Sequence, residues 1–408
     1  MAGISMSAGC TEYFSVEEAC HPNGRVPGAN VLDNTEEDAL DTMNCYRRLS
    51  GLSRASATRT VQEALEGHKD YILQNPDATR LIGPTGPVQY LSQRQGDIGF
   101  TGVTIFDRLT EAGYTFTDPS AVSTREYLFV VQAGYPTMTD ANGQTLMGGP
   151  AMDGLMREHE WRELALQRSW LDGGYVEIPL DETWWNTSGI CKLAPDFCNN
   201  GTSVPVGFTG RMYYIAVIHT DPPLQRSFSP FTFPKVEQTG VPLFSMSNDQ
   251  NNLDANGVPA QVQISYPISI FGNAADPTTA LLADQNVYGL EVRAAISDNR
   301  GSNFVAQVVL PGADPTGVFP EGYNLRRSAA VYINQPFLPL TEYTVTADVV
   351  TNEAEYDLRF QFTTAAEDPG VDLSGVVTGG RVFRPLALRA STSHRGLDMV
   401  VDRDALRD

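Results

Sequence analysis

The sequence predicts an α+β protein, with helices flanking a sheet in the first half of the chain and an all-β sandwich in the second. Three observations lead to this fold class. Apolar residues recur with a helical period before residue 75, and a continuous apolar run over 211–220 is typical of a buried strand. Beyond residue 236, apolar and polar residues alternate along several short segments. A chain of 408 residues is long enough for two or three domains.

Two helices are predicted near the start of the chain, after an irregular lead-in over 1–33. Asn34 and Glu37 have the spacing of a loose capping box, and the helix that follows extends to about Leu49. A second helix is predicted over 57–73, and Asn75-Pro76 stops it. One face of this helix carries Val61, Leu65, His68 and Ile72. We therefore interpret His68 as a packed, hydrogen-bonded core histidine rather than a ligand.

The rest of the first half alternates between short helices and strands. A helix over 103–112 ends at Gly113, and another begins at Pro150 and reaches about Ala165. The apolar run 127–131 is compatible with either strand or helix. Strands are predicted over 175–180 and 211–220.

The second half begins with a proline-rich stretch, 223–236, which we interpret as a semi-rigid linker. Residues 237–366 form the predicted sandwich, and the pattern is lost over 367–408, which we expect to be a mobile tail. The clearest alternating apolar positions are Tyr343, Val345, Ala347 and Val349, followed by Leu358, Phe360 and Phe362.

Composition and charge limit the partners of the chain. It has 28 Lys and Arg against 49 Asp and Glu, a net charge of −21. Such a surface repels the phosphate backbone, so we expect no nucleic-acid partner. No stretch of 18 apolar residues exists, so we expect no transmembrane segment.

The five cysteines favour an oxidising compartment. Cys191 and Cys198 lie in one loop flanked by proline and glycine, and we expect a disulfide between them; two unpaired thiols are the alternative. Cys20 can pair with Cys45, which leaves Cys10 unpaired. Ser7-Ala-Gly-Cys10 resembles the end of a bacterial lipoprotein cleavage box, which would make Cys10 a lipidation site. A free or differently paired Cys10 remains the other interpretation.

Four motifs follow one another along the first half of the chain. The most specific is Gly99-Phe-Thr-Gly-Val-Thr-Ile-Phe-Asp-Arg-Leu-Thr-Glu-Ala-Gly-Tyr114. The others lie at 39–52, at 64–75, and at 152–156 with Trp161-Arg162. In their content and order, these motifs resemble those of bacterial members of the CAP superfamily of cysteine-rich secretory, antigen 5 and pathogenesis-related proteins. The resemblance implies that 34–222 form an α/β/α sandwich. Residues 237–366 are similar to immunoglobulin-like modules, which follow such domains in secreted bacterial proteins.

The CAP resemblance also implies a cleft with two His and two Glu, which bind a divalent metal in some members. Here the first cleft His would fall between residues 89 and 95, where the sequence has none. Glu126 matches the first Glu. The later His is either replaced by Trp161 or is His159. A zinc site commonly needs three or more protein ligands, so the candidate cleft of Glu126, His159 and Trp161 predicts no metal and no cofactor.

Other signals are weaker. Trp170, Trp184 and Trp185 lie near Tyr175 and the loop of Cys191, where they could form a platform for a sugar or a lipid, or else seal a core edge. Asn252-Leu-Asp-Ala-Asn-Gly257 has part of a calcium-loop pattern, but Gln263 stands where the loop needs Glu, so a polar turn is the better interpretation.

Taken together, these observations predict a secreted or surface-attached bacterial protein. Its function is expected to be non-enzymatic binding of an extracellular ligand or protein partner through a degenerate CAP domain. Two alternatives remain open: an extracellular hydrolase with a rearranged cleft, and a structural subunit whose exposed sandwich edge pairs with neighbours in a surface assembly.

Overall fold

The structure is a computed structural model. It describes residues 14–15, 31–77, 93–103, 105–115, 126–133, 146–157, 162, 165–166, 170–193, 198–207, 210–220, 230–253, 259–271, 290–309, 328–350, 354–367 and 388–392. In some strands, among them 126–133 and 388–392, it describes the backbone alone. The mixed α+β class predicted from the sequence is confirmed.

The first half is built on a five-stranded sheet. Its strands are β2 (Ser56–Ala57), β3 (Glu126–Ala133), β4 (Trp170–Leu180), β5 (Gly210–Thr220) and β17 (Leu388–Thr392). Their order is β17-β3-β5-β4-β2, and all neighbours are antiparallel except β2 and β4. The ambiguous run at 127–131 is therefore a strand.

Helices cover both faces of this sheet. They are α1 (Asn34–Leu49), α2 (Arg59–Gln74), α3 (Ile105–Glu111), α4 (Gly148–Arg157), α5 (Glu182–Thr187) and α6 (Ile190–Leu193). Successive side chains of a strand point to opposite faces. Tyr175 of β4 packs in one core cluster with α1 and α4, while Val176 packs in a second cluster with α2 and α3. The first half is thus a three-layer α/β/α arrangement.

The start of α1 lies one residue earlier than predicted. Asp33 is the N-cap and accepts a hydrogen bond from the backbone N of Glu36 at 2.8 Å, while the Asp33 N–H donates to Glu36 Oε2 at 3.0 Å. The capping box is therefore Asp33 with Glu36, rather than Asn34 with Glu37. Both pairs have the three-residue spacing, and Asp and Asn are equally good caps. The sequence alone therefore could not decide which pair forms the capping box.

The second half is a two-sheet β-sandwich with an additional hairpin. Its strands are β6 (Phe231–Phe233), β7 (Gln238–Val241), β8 (Phe244–Leu253), β9 (Pro259–Ser265), β10 (Ile268–Phe271), β11 (Glu291–Asp298), β12 (Asn303–Phe304), β13 (Gln307–Val309), β14 (Ser328–Tyr332), β15 (Glu342–Val350) and β16 (Glu355–Thr364). One sheet has the order β7-β16-β15-β11-β12, the other β13-β14-β10-β6, and β8 pairs with β9. The predicted alternation in β15 is confirmed, because Tyr343, Val345, Ala347 and Val349 are all buried.

The structure differs from the predicted segment boundaries in three places. β6 lies inside the predicted linker. Within the predicted lead-in, β1 (Phe14–Ser15) pairs in parallel with β7 of the sandwich. Within the predicted mobile tail, β17 pairs with β3 of the first sheet. The physical reason is shared: β7, β3 and β10 each have backbone groups that need a partner along one side.

The two halves share one hydrophobic core. A single cluster joins Ala39, Leu40 and Met43 of α1 with Phe233 of β6 and Ile268 of β10. No helix among the described residues is both long and apolar enough to cross a membrane.

Candidate functional site

The structure describes only part of the predicted cleft. Glu126 is the first residue of β3, and its backbone lies opposite Thr220 of β5. Its side chain, and the whole of His159 and Trp161, lie outside what the structure describes. The convergence of these three residues therefore stays a prediction.

Gln93 lies in the segment 89–95, where the first cleft His was expected, and its side chain is buried against α2. Its Oε1 accepts hydrogen bonds from the backbone N of Thr101 at 2.6 Å and of Gly102 at 3.2 Å. Its Nε2 lies 3.1 Å from His68 Nδ1 and 3.1 Å from Thr101 Oγ1. Because two backbone N–H groups point at one end of the amide, that end is the oxygen and the other is the NH₂.

The loop that surrounds Gln93 is the Gly99–Gly102 part of the motif quoted above. Gly102 has φ +156°, and a Cβ there would lie 2.5 Å from Asp107 Cβ, so only glycine fits against the start of α3. Tyr71 of α2 fixes the preceding turn, since its hydroxyl donates to Asp97 Oδ2 at 2.6 Å and accepts from the backbone N of Arg94 at 2.9 Å.

His68 links this loop to the sheet. The ring is fully buried on α2, and its Nε2 lies 2.8 Å from the hydroxyl of Tyr214 in β5. Since the Gln93 amide donates to Nδ1, the proton of the ring is on Nε2 and is donated to Tyr214. The interpretation of His68 as a hydrogen-bonded core residue is confirmed.

The Gln93 network is suited to holding a loop and unsuited to chemistry. A carboxamide neither transfers a proton at neutral pH nor binds zinc as imidazole does. Arg108 lies close by, where burial lowers its pKa to about 10, so it remains a cation at neutral pH. No group of three or more His, Cys, Asp or Glu side chains within the described ranges is placed to hold a metal ion.

Trp184 and Trp185 seal the core instead of forming a platform. Trp184 and Trp185 of α5 are each 5% exposed and meet edge to face, with ring centroids 5.1 Å apart. Trp184 Nε1 donates to the carbonyl of Ile72 at 3.0 Å, which ties α5 to the end of α2. Tyr175 is fully buried as well. The side chain of Trp170 is not described.

Disulfides hold two parts of the first half. The predicted bond between Cys191 and Cys198 is confirmed, and it packs against the core cluster of Trp184 and Trp185. Cys45 of α1 is also disulfide-bonded, to a cysteine outside the described residues. The pairing of Cys20 with Cys45 and the lipidation of Cys10 therefore stay predictions.

Sequence reasoning missed a buried ion pair on the other face of the sheet. Glu177 of β4 pairs with Arg211 of β5 at 2.5 Å, and it accepts from the Gly148 backbone N at 2.7 Å and the Tyr175 hydroxyl at 2.9 Å. Burial raises the pKa of Tyr175, so the hydroxyl keeps its proton and donates it. The sequence feature that could have indicated this ion pair is Glu177 itself, a charged residue within an apolar strand. Of the three donors, the Gly148 N–H belongs to α4, so Glu177 joins the start of this helix to the sheet.

Comparison of the chain with protein-family models, with curated proteins and with solved structures found no match. The likeness to CAP domains rests on the sequence motifs, and it enters the functional argument as a proposal.

Proposed function

We propose that this chain is a secreted or surface-attached bacterial protein with a degenerate CAP domain and an immunoglobulin-like module, and that it binds an extracellular ligand or protein partner without catalysing a reaction. The observation that carries the proposal is the environment of Gln93. Where a CAP cleft would have its first histidine, this residue is bonded to His68, Thr101 and Gly102. Its polar atoms therefore serve the fold.

The strand order supports an immunoglobulin-like module. β6-β10-β14-β13 matches the A-B-E-D sheet of that fold, and β16-β15-β11 matches its G-F-C sheet. Tyr343 stands near the start of β15, the strand that matches F, and its hydroxyl accepts a hydrogen bond from the Leu338 N–H at 2.8 Å. This is the arrangement of a tyrosine corner. The module lacks a disulfide between its sheets, because all five cysteines precede residue 199.

The disulfides support an extracellular location. Such bonds persist in oxidising compartments and are rare in reducing ones. The bond between Cys191 and Cys198 and the bonded state of Cys45 both fit export. Lipidation at Cys10 would retain the chain at the cell surface.

The structural-subunit alternative is less favoured by the sandwich. Its outer strands β12, β13 and β6 have two or three residues each, and β1 covers β7. Short edges offer few backbone groups to a neighbouring chain.

Calorimetric titration of the full chain, stripped with EDTA, with Zn²⁺ and with Ca²⁺ tests the degenerate cleft. We expect no saturable heat. Metal binding that disappears in Glu126→Gln and in His159→Ala, together with metal-dependent hydrolysis, would instead establish the hydrolase alternative.

Binding is tested with the fluorescently labelled chain on washed cells of the producing bacterium. We expect saturable binding that an excess of unlabelled chain displaces, and we expect immunoblots to place the endogenous protein in the medium or on the cell surface. A cytoplasmic location would contradict the proposal.

A further inference from the structure

A buried arginine joins the two halves of the molecule. Arg162 follows α4 in the chain, and its backbone carbonyl accepts from the Leu166 N–H at 2.8 Å. Its side chain is fully buried, and it reaches the sandwich, where Nη2 donates to the carbonyl of Pro267 at 2.6 Å. Pro267 lies in the short connection between β9 and β10. The sequence predicted a connection between the two halves only through the linker over 223–236, and it did not predict this contact.

The guanidinium also lies against two aromatic rings of the sandwich. Its central carbon is 4.4 Å from the ring centroid of Tyr266 and 5.6 Å from that of Phe233. A cation on an aromatic face is stabilised most when water is excluded, as it is here. The planar guanidinium can face a ring and donate in its own plane at the same time, which an ammonium group cannot.

The unsatisfied atoms of Arg162 do not indicate a ligand site. Nε and Nη1 have no hydrogen-bond partner among the described residues, but less than 1 Å² of either atom is accessible. Neither atom therefore opens onto a surface from which a ligand could reach it. The side chain acts between protein groups only.

Other contacts near Arg162 also join the first half of the chain to the sandwich. The Tyr266 hydroxyl lies 3.4 Å from the carbonyl of Met156 at the end of α4. The ring of Tyr46 in α1 lies 5.4 Å from that of Phe233, and its hydroxyl donates to Asp153 of α4. One apolar surface, built from α1 and α4, thus meets β6 and the β9–β10 connection.

We propose that Arg162 is a positioning residue that latches the sandwich onto the α1 and α4 layer, so that the two units move as one rigid body. The proline-rich segment is then not a hinge. This goes beyond the proposed function, because a partner bound to either unit would fix the orientation of both.

Hydrogen exchange measured by mass spectrometry on the full chain tests the latch. In Arg162→Ala we expect peptides covering 165–166 and 264–271 to exchange at least tenfold faster than in the wild type, while peptides within α2 and β15 keep their rates. Arg162→Lys should give an intermediate increase, since it keeps one donor and loses the planar group. Arg59→Ala is the matched control, because its side chain is 70% exposed and its ion pair with Glu63 lies on the surface of α2.

Two outcomes would overturn the proposal: unchanged exchange at the interface, or an equal increase in every peptide, which is the mark of a general loss of stability. If Arg162→Ala does not fold, Tyr266→Leu decides in its place. This variant keeps an apolar residue and removes both the aromatic face and the hydroxyl, and the same confined increase is expected.

Discussion

At the scale of single residues, Gln93 is the side chain on which the loop before α3 depends. Its replacement by Ala leaves the backbone N–H groups of Thr101 and Gly102 and the Nδ1 of His68 without their partner. Each buried polar group left unsatisfied costs about 1–3 kcal/mol, so we expect Gln93→Ala to lower the free energy of unfolding by about 3 kcal/mol or more. Urea denaturation measures this. The exposed neighbour Gln95→Ala serves as the control, and an equal effect of both variants would contradict the role of Gln93.

Glu36 is predicted to make stability depend on pH. Burial raises its pKa to about 7, although the N–H of Asp33 acts in the opposite direction. Folding therefore favours the protonated acid. The stability that it contributes is complete below about pH 4.5 and is lost as pH rises through about 7. At 1.36 kcal/mol for each pKa unit, the loss is at most about 3 kcal/mol.

Urea denaturation between pH 4.5 and 8 measures this dependence. Glu36→Gln should remove this part of the pH slope, because a neutral amide can still accept from the capping N–H of Asp33. Glu63→Gln, which alters a half-exposed carboxylate of α2, should leave the slope unchanged. A slope that persists in Glu36→Gln would show that another group titrates.

At the scale of elements, α2 lies so close to β4 that glycine is needed in the strand and not in the helix. A Cβ on Gly174 of β4 would lie 2.9 Å from Leu65 Cδ1 and 3.0 Å from Val61 Cγ1, both in the core. A Cβ on Gly67 of α2 would meet only Thr101, at 3.6 Å.

The same substitution at these two sites should have opposite effects. Overpacking makes Gly174→Ala destabilising by about 1–3 kcal/mol. Helix propensity makes Gly67→Ala stabilising by about 1 kcal/mol. Thermal unfolding of both variants checks the signs, and a stabilised Gly174→Ala would show that the helix can move away from the sheet.

Elements with a strong local period could be predicted from the sequence. The apolar faces of α1 and α2 and the alternation in β15 correctly gave their positions, and Gly113, with φ +81°, ends α3 as predicted. Within the predicted sandwich, the segment before residue 272 forms two strands, β9 and β10, divided at Tyr266-Pro267. In this connection the carbonyl of Pro267 accepts from Arg162, a contact between residues 105 positions apart that no local pattern records.

The candidate site was predictable to a similar extent. The absence of a histidine over 89–95 could be seen in the sequence. The contact of Gln93 with His68 could not, because the two residues lie 25 positions apart and no local pattern relates them. Burial of Trp184 and Trp185 could be foreseen only as one of two alternatives, since bulky aromatic residues serve both cores and binding surfaces.

At the scale of the whole molecule, the shared core changes how the chain is expected to unfold. Two domains joined by a linker unfold independently, whereas units that bury a common surface unfold together. Here α1 and α4 pack with Phe233, Tyr266 and Ile268 of the sandwich, and the β1 and β17 strands cross between the halves.

The four tryptophans allow a direct test, since all of them lie in the first half, at positions 161, 170, 184 and 185. Tryptophan fluorescence therefore reports on the first unit alone, while far-UV circular dichroism reports on the strands of both. We expect the two urea transitions to coincide in the full chain. A fragment of residues 230–366 loses the apolar cover of Phe233 and Tyr266, worth about 3 kcal/mol or more, and should unfold at lower urea. Two separate transitions in the full chain, with the fragment as stable as the second of them, would show that the halves are independent domains.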